Sequence, residues 1–271
     1  MNKPWKVALI GAGNAGEAII SGLLKSNVYT SKDIQVAEIN DDRRKYISQT
    51  YQVTCFKNSR DILSFSDIVI IAVKPINIMQ VLQDINSFVK TRKVVLSIVA
   101  GIPIAFIKKH LSQVFPIIRG MPNLACSVGE AMITITPAEN VIEHELKIAT
   151  DVLELLGQVM ILEEKYLNLA TALNGSGPAY IFLIIEALAD AGVRVGLPKD
   201  ISIMLAAQTT LGAAKMVVDT GEHPAKLKDK VATPGGTTVE GLLKLEDGKL
   251  RAVIISAVTE ATQKARALIP T

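Results

Sequence analysis

Residues 7–20 read Val-Ala-Leu-Ile-Gly-Ala-Gly-Asn-Ala-Gly-Glu-Ala-Ile-Ile, and this stretch decides the architecture of the first half of the chain. Val7–Ile10 is a short, continuous apolar run of the kind found in fully buried strands, and Gly11 ends it. Glycines at 11, 13 and 16 then open a helix-compatible run, Ala15–Lys25. In a strand–turn–helix setting the three have separate tasks: a tight turn, close approach of backbone to a pyrophosphate, and close packing of helix on strand. The first N–H groups of the helix lack partners and attract the anion. Gly11, Gly13, Asn14, Ala15 and Gly16 are therefore candidate contacts of a dinucleotide.

Outward from this point, two periods alternate. Apolar runs at Ile34–Ala37, Ile68–Val73 and Val94–Val99 predict strands, with helices at Asp41–Gln49, Asn77–Phe88 and Ile104–His110 between and after them. Such alternation indicates a parallel sheet covered on both faces. Further strands are expected at Val114–Arg119, at Ala131–Thr136, where Met132, Thr134 and Thr136 suggest a two-sided strand, and at Val159–Leu162, with a helix over 139–156. From about Leu167 the strand signal disappears. Tyr180–Gly192 is apolar nearly all round, which predicts a buried helix. Ile201–Thr220, Val239–Leu245 and Arg251–Leu268 are also helical, and Ala206, Ala207, Gly212, Ala213 and Ala214 suit close helix approach. The reading is α/β, with a dinucleotide-binding domain at 1–165 and a helical domain at 166–271. So many apolar helical faces in so short a tail predict an intertwined homodimer as the minimum assembly.

The chain has 271 residues, 49% of them hydrophobic, and 29 Lys and Arg against 26 Asp and Glu, a net charge of +3. A chain of this length buries a core without staples, and its composition excludes low-complexity disorder. The charge is too small to argue for a nucleic-acid partner. Cys55 and Cys126 stand far apart without metal-ligand spacing, which predicts buried thiols in a reducing compartment and no metal. Lys3 and Lys6 precede too short an apolar run for a signal peptide. The longest apolar stretch, 179–193, is interrupted by Glu186 and Asp190 and falls short of the ~20 residues that span a bilayer. A soluble, cytoplasmic protein without a membrane partner is expected.

Glu38, at the end of the second strand, stands where an acidic side chain usually holds the ribose 2′-hydroxyl of NAD. Arg43 and Arg44, just beyond, suit the 2′-phosphate of NADP. The residues leave the two cofactors open. Ala72-Val73-Lys74-Pro75 and Val99-Ala100-Gly101 follow later strands and are expected at the same crevice. At the other end of the chain, Asn174-Gly175-Ser176-Gly177-Pro178 and Thr233-Pro234-Gly235-Gly236-Thr237-Thr238 each precede a helix. The second offers N–H groups and hydroxyls to one carboxylate, the alternative being ordinary capping by Thr237 or Thr238. A general base is missing: His110 and His144 fall on helices, and His223 reads as a satisfied loop histidine. A protonated imine accepts hydride without a strong base, so these residues favour reduction of C=N over C=O.

Taken in order, Gly11–Gly16, Ala72–Pro75, Arg-Gly-Met-Pro-Asn at 119–123, Ser176–Ala179, Gly221–Pro224 with Lys228-Asp229, and Pro234–Thr238 span nearly the whole chain. In these stretches the sequence resembles pyrroline-5-carboxylate reductases. The resemblance implies a Rossmann domain followed by an all-helical dimerisation domain, an active site shared between subunits, and hydride transfer to 1-pyrroline-5-carboxylate to give L-proline. It places the substrate on Ser176, Gly236, Thr237 and Thr238, with Thr238 bonding the ring nitrogen and relaying a proton. It assigns Asn58, Lys74 and Ala100 to the cofactor, alongside Ala72, Val73 and Pro75, and implies dimers commonly paired into decamers. Asn174, Thr233 and Leu124 depart from the family's usual residues, as does Glu38, which stands where a hydroxyl residue is common. The cofactor expected is NADP(H), held through Arg43 and Arg44, with NAD(H) the alternative. Two rival readings are a β-hydroxyacid dehydrogenase using Lys165 and Asn168, and a nucleotide sensor without turnover.

Overall fold

Strands β1 (Val7–Ile10) and β4 (Ile68–Ile71) lie side by side in parallel, Val7 opposite Ile68, and every residue of both is buried. The computed structural model describes residues 4–88, 92–111 and 115–267. Around this pair, β2 (Ile34–Ala37), β3 (Thr54–Phe56), β5 (Val94–Ser97), β6 (Ile117–Met121), β7 (Ala131–Pro137) and β8 (Gly157–Ile161) complete one sheet, ordered β3-β2-β1-β4-β5-β6-β7-β8. The first six are parallel. A connection of only nine residues, 122–130, with Gly129 in the left-handed region, is too short for a crossover, and β7 accordingly runs antiparallel to β6.

Alternate residues of the central strands feed two cores. Val7, Leu9, Val36 and Ile70 meet α1 (Asn14–Lys25), α2 (Asp41–Tyr51) and α6 (Glu143–Leu153) on one face. Ala8, Ile10, Val69 and Ile71 meet α3 (Arg60–Leu63), α4 (Ile78–Asn86) and α5 (Ile104–His110) on the other. Strands buried on both faces need no polar alternation, which is why they read as continuous apolar runs. The same holds for β7, where Thr134 and Thr136 are buried as well and the expected two-sided character is not found; Thr136 donates to the Leu162 carbonyl oxygen at 2.6 Å. The strand expected from Val114 begins at Ile117, and Val114 lies outside the described residues, as does Leu268 at the end of the last helix.

The described chain divides into two compact units, residues 4–176 with 261–267, and Gly177–Glu260. The first unit includes α7 (Glu164–Ala170) and a π-helical turn, Thr171–Gly175. The second contains α8 (Gly177–Arg194), α9 (Lys199–Thr220), α10 (Pro224–Val231), α11 (Thr237–Asp247) and the first part of α12 (Leu250–Ala267). Helices α8 and α9 approach closely at Gly192, where a Cβ would stand 2.7 Å from Ser202 Oγ. The burial expected of the 180–192 helix is not found within one chain: Phe182, Leu183 and Leu188 are exposed, and Ala189 is the buried residue of α8. Met204, Leu205, Leu211 and Val218 leave α9 similarly uncovered. Structure also corrects the expected absence of long apolar segments. The helical run Glu164–Arg194, of 31 residues, and α9, of 22, are long and apolar enough to cross a membrane by length and composition.

At the N-terminal edge of β2, buried Asp33 accepts hydrogen bonds from Lys6 Nζ at 2.5 Å and from Thr30 N and Oγ1 at 2.9 and 2.6 Å. Burial alone would raise its carboxyl, but the bonds from Lys6 and Thr30 outweigh this and pull it down to about 2. A depressed carboxyl stabilises the fold at any pH above its unfolded value, and that contribution disappears as pH falls through the folded value. Asp33→Asn is expected to cost about 2 kcal/mol at neutral pH. It should also flatten the stability profile between about pH 4 and pH 2. Denaturant melts across that range test this, and an unchanged acid slope in the variant would refute it.

Candidate functional site: a glycine-lined crevice and a threonine loop

The turn between β1 and α1 is built around two glycines that admit no side chain. Gly11 has φ +93°, its N–H donates to Ala37 O at 2.8 Å, and a Cβ on it would stand 2.7 Å from Ala72 O. A Cβ on Gly16 would run into the Gly11 carbonyl oxygen. Gly13 differs: nothing lies within 4 Å of where its Cβ would be, and its backbone is extended. Neither folding nor local conformation requires glycine there, which leaves ligand approach as its physical reason. Gly13 is also the N-cap of α1 and offers no side-chain cap, so the first N–H groups of the helix, at exposed Asn14 and Ala15, remain open to an anion.

A network of charges fixes this turn. Glu38 Oε2 accepts from Ala12 N at 2.8 Å and Oε1 from Asn40 N at 2.9 Å. Arg43 Nε donates to Ala12 O at 2.6 Å, and its Nη2 pairs with Glu17. Glu17, in the first turn of α1, also accepts from Tyr46 and Tyr51 hydroxyls at 3.0 and 2.8 Å. Burial would raise the Glu17 carboxyl, but these bonds, from Arg43 first, hold it below its ordinary value. Burial, followed by the bond to Glu17, pushes the Tyr51 phenol up to about 12.

At the carboxyl ends of β1, β2 and β4 lies a crevice of about 980 Å³. Of the residues read from the sequence, Gly11, Gly13, Glu38, Arg43, Asn58, Ala72, Val73 and Lys74 line it. Asn14, Ala15 and Gly16 form the adjoining first turn of α1, and Pro75 starts the 3-10 turn Pro75–Asn77 that follows Lys74. Ala100 follows β5, outside the lining of this cavity, and Arg44 turns away to Asp41 Oδ1 at 2.7 Å and Glu38 O at 2.9 Å. Sequence reading missed Lys57 and Arg60, which also line the crevice. Lys57 follows β3 and Arg60 opens α3, elements of three and four residues, too short to show a period. The site lies where the strand order reverses beside β1, the ligand position of open α/β sheets, and its glycine cradle, open helix start and cationic rim suit a dinucleotide.

Around the second candidate loop, Gly235 takes φ +71° and Gly236 N donates to Thr233 O at 2.9 Å, closing a turn behind Pro234. Gly236 is the N-cap of α11, and no side chain caps the helix, so the capping alternative for Thr237 and Thr238 is not what the structure contains. With Gly236 N–H committed to the turn, the N–H groups of Thr237 and Thr238 and both hydroxyls have no partner among the described residues. In the first unit, Ser176 ends the π-helical turn, and Asn174 Nδ2 pins that turn to β6 and β7 through Met121 O and Met132 O at 3.1 and 3.0 Å.

Histidines and cysteines are structural. His110 Nδ1 lies 2.9 Å from Phe106 O, His144 packs edge-on against Trp5, and His223 caps α10 by accepting from Ala225 N at 3.2 Å. Burial pushes both thiols up to about 11. The rival pair is occupied elsewhere: Lys165 is exposed and pairs with Glu163 at 2.7 Å, while Asn168 accepts from buried Arg119 at 2.7 Å.

Sheet order and glycine cradle define a Rossmann-type dinucleotide-dependent oxidoreductase, and comparison with known proteins agrees. Residues 6–101 match the family described as NADP oxidoreductase, coenzyme F420-dependent, and residues 164–268 match pyrroline-5-carboxylate reductase dimerisation. The pyrroline-5-carboxylate reductase of Arabidopsis thaliana is 38% identical over 97% of this chain and 95% of its own, and that of Methanosarcina acetivorans 36% over 97% of both. Among solved structures, the Coxiella burnetii pyrroline-5-carboxylate reductase superposes with a TM-score of 0.86 at 33% identity, covering 98% of this chain and 99% of that one. The Plasmodium falciparum pyrroline carboxylate reductase with NADP bound gives 0.88 at 29% identity, covering 98% of both. The chain belongs to the pyrroline-5-carboxylate reductase family.

Gly16 and Gly13 make separable predictions. Gly16→Ala is expected to cost about 2–3 kcal/mol of stability, because backbone must move. Gly13→Ala should change stability by less than about 1 kcal/mol yet weaken cofactor binding about tenfold or more. Thermal melts and cofactor titrations distinguish the two, and a Gly13→Ala protein with full cofactor affinity would contradict the assignment.

Proposed function

We propose that the protein reduces 1-pyrroline-5-carboxylate to L-proline with NADPH, in a homo-oligomer. The observation that carries the reading is the Thr233–Thr238 loop: two free N–H groups and two uncommitted hydroxyls at a helix start, in a member of this family. Such a set suits a carboxylate, which accepts from N–H and O–H groups and is favoured at a helix N-terminus. NADPH supplies a hydride to the imine carbon when bound, in the crevice walled by Gly11, Gly13, Ala72, Val73 and Lys74.

In this reading the Thr237 and Thr238 N–H groups hold the substrate carboxylate, with Ser176 a further substrate contact, and the Gly236 N–H keeps the turn closed. The Thr238 hydroxyl oxygen accepts a hydrogen bond from the protonated ring nitrogen and, once hydride addition has left an amine lone pair there, relays a solvent proton to it. All three histidines have other duties, and a ring nitrogen that arrives protonated needs no strong base. A carbonyl substrate would need such a group, which disfavours the hydroxyacid reading, as does the engagement of Asn168 by Arg119. A sensor without turnover has no use for a carboxylate cradle.

We also propose a dimer as the minimum assembly, with pairing into decamers. The support is the exposed apolar faces of α8 and α9 together with the dimerisation match over 164–268. A second copy covering those faces accounts for their hydropathy without a bilayer, and we read the protein as soluble and cytoplasmic, without nucleic-acid or membrane partners. Light scattering should then give a dimer or a multiple of it, and a micromolar monomer would overturn the assembly.

The reaction is tested by loss of reduced-cofactor absorbance with and without 1-pyrroline-5-carboxylate. Thr238→Ala is expected to lower kcat about 100-fold while leaving NADPH affinity unchanged. Absent turnover in the parent protein would remove the reaction, and an unchanged kcat in the variant would remove Thr238 from the chemistry.

A further inference from the structure

The adenosine end of the crevice contains more cations than the fold itself uses. Its expected phosphate ligands are Arg43 and Arg44, but both are engaged. Arg43 holds the glycine turn through Ala12 O and Glu17, and Arg44 holds the end of β2 through Glu38 O and Asp41. Arg60 Nε is bonded to Asp84 Oδ1 at 3.0 Å. Lys57, in contrast, is exposed, lines the crevice, and has no ion pair among the described residues.

Topology fixes where Lys57 stands. In the β2–β3 register Ala37 faces Phe56, and Glu38 N donates to Phe56 O at 3.0 Å. The residue after Phe56 is thus beside the end of the second strand, where dinucleotide folds hold the adenosine ribose. Glu38 occupies that position too, but each of its oxygens accepts a backbone N–H, from Ala12 and Asn40, so the carboxylate is anchored to the turn. The Asp41 carboxyl lies below its ordinary value, chiefly through Arg44 and further through Lys57, which places the ammonium's field at the same corner.

We propose that Lys57 selects the phosphorylated cofactor: its ammonium binds the 2′-phosphate of NADPH, while Glu38, Arg43 and Arg44 build the turn beside it. An ammonium on a flexible stem suits this task, since it meets a phosphate as a point charge and needs no fixed fork geometry. The proposal rests on the reading of this crevice as the NADPH site, and it assigns the preference to a residue outside the second strand and its helix.

Equilibrium titration tests it, using NADPH, NADH and adenosine 2′,5′-bisphosphate on the full chain with Lys57, with Lys57→Gln and with Lys57→Arg. Lys57→Gln is expected to weaken NADPH and the bisphosphate about tenfold, with NADH within about twofold, and Lys57→Arg to retain most of the NADPH affinity. Added salt should erode the parent's preference for NADPH over NADH and have less effect on the preference left in Lys57→Gln. Equal losses for NADPH and NADH, or no loss for NADPH, would overturn the role of Lys57. A parent protein that binds neither NADPH nor the bisphosphate would instead bring down the cofactor reading beneath it.

Discussion

Everything at the cofactor end depends on how closely the turn after β1 approaches the end of β4. At Gly11 the backbone passes so near Ala72 O that no side chain fits, and Gly16 meets the Gly11 carbonyl in the same way. These contacts bring the start of α1 down onto the sheet edge, with its first N–H groups open and Gly13 facing empty space. A helix start so placed carries a partial positive charge at the mouth of the crevice. The protein needs no cationic side chain to hold a pyrophosphate there.

That arrangement creates an electrostatic problem, because Glu17 lies in the first turn of the same helix and would repel a phosphate. Arg43 and two tyrosine hydroxyls take up its charge. Glu38 is handled differently: backbone N–H groups saturate it and turn it into a clamp between the glycine turn and the end of β2. Acidic residues near the mouth are therefore structural parts of the cradle, and residue type alone misjudges what they contribute to cofactor choice.

Much of the sheet was legible because buried parallel strands are written as apolar runs: Val7–Ile10 and Ile34–Ala37 have the bounds expected of them. What escaped was short or polar. β3 has three residues, and α10 is half charged, with Leu227 its buried residue; its one signal was Pro224 behind a capping His223. For the same reason the glycine turn was readable and Lys57 was not, since the hydrophobic pattern cannot place a residue that follows an unrecognised strand at the crevice, and its neighbour Asn58 was reached only through the family resemblance. Glu38, Arg43 and Arg44 were visible in the sequence, but their hydrogen-bond partners, which decide what they do, come from elements far apart in the chain.

Arg119 shows the same limit from inside the fold. A guanidinium only 2% exposed is expensive unless paired. Here Nη1 donates to Glu164 at 3.1 Å and Nη2 to Asn168 at 2.7 Å, both on α7, while Nε is buried without a partner. Glu164 Oε1 also accepts from Ile104 N, at the start of α5, at 2.7 Å. One half-buried carboxylate thus joins a strand and two helices, an arrangement that an apolar packing of the same volume would match in stability but not in direction. The directional bonds set the rotation and height of α7 on the sheet, and with them the position of the π-helical turn that Asn174 ties to β6 and β7. Ser176 follows that turn directly, so buried Arg119 of β6, with its partners on α7, governs where a proposed substrate contact stands.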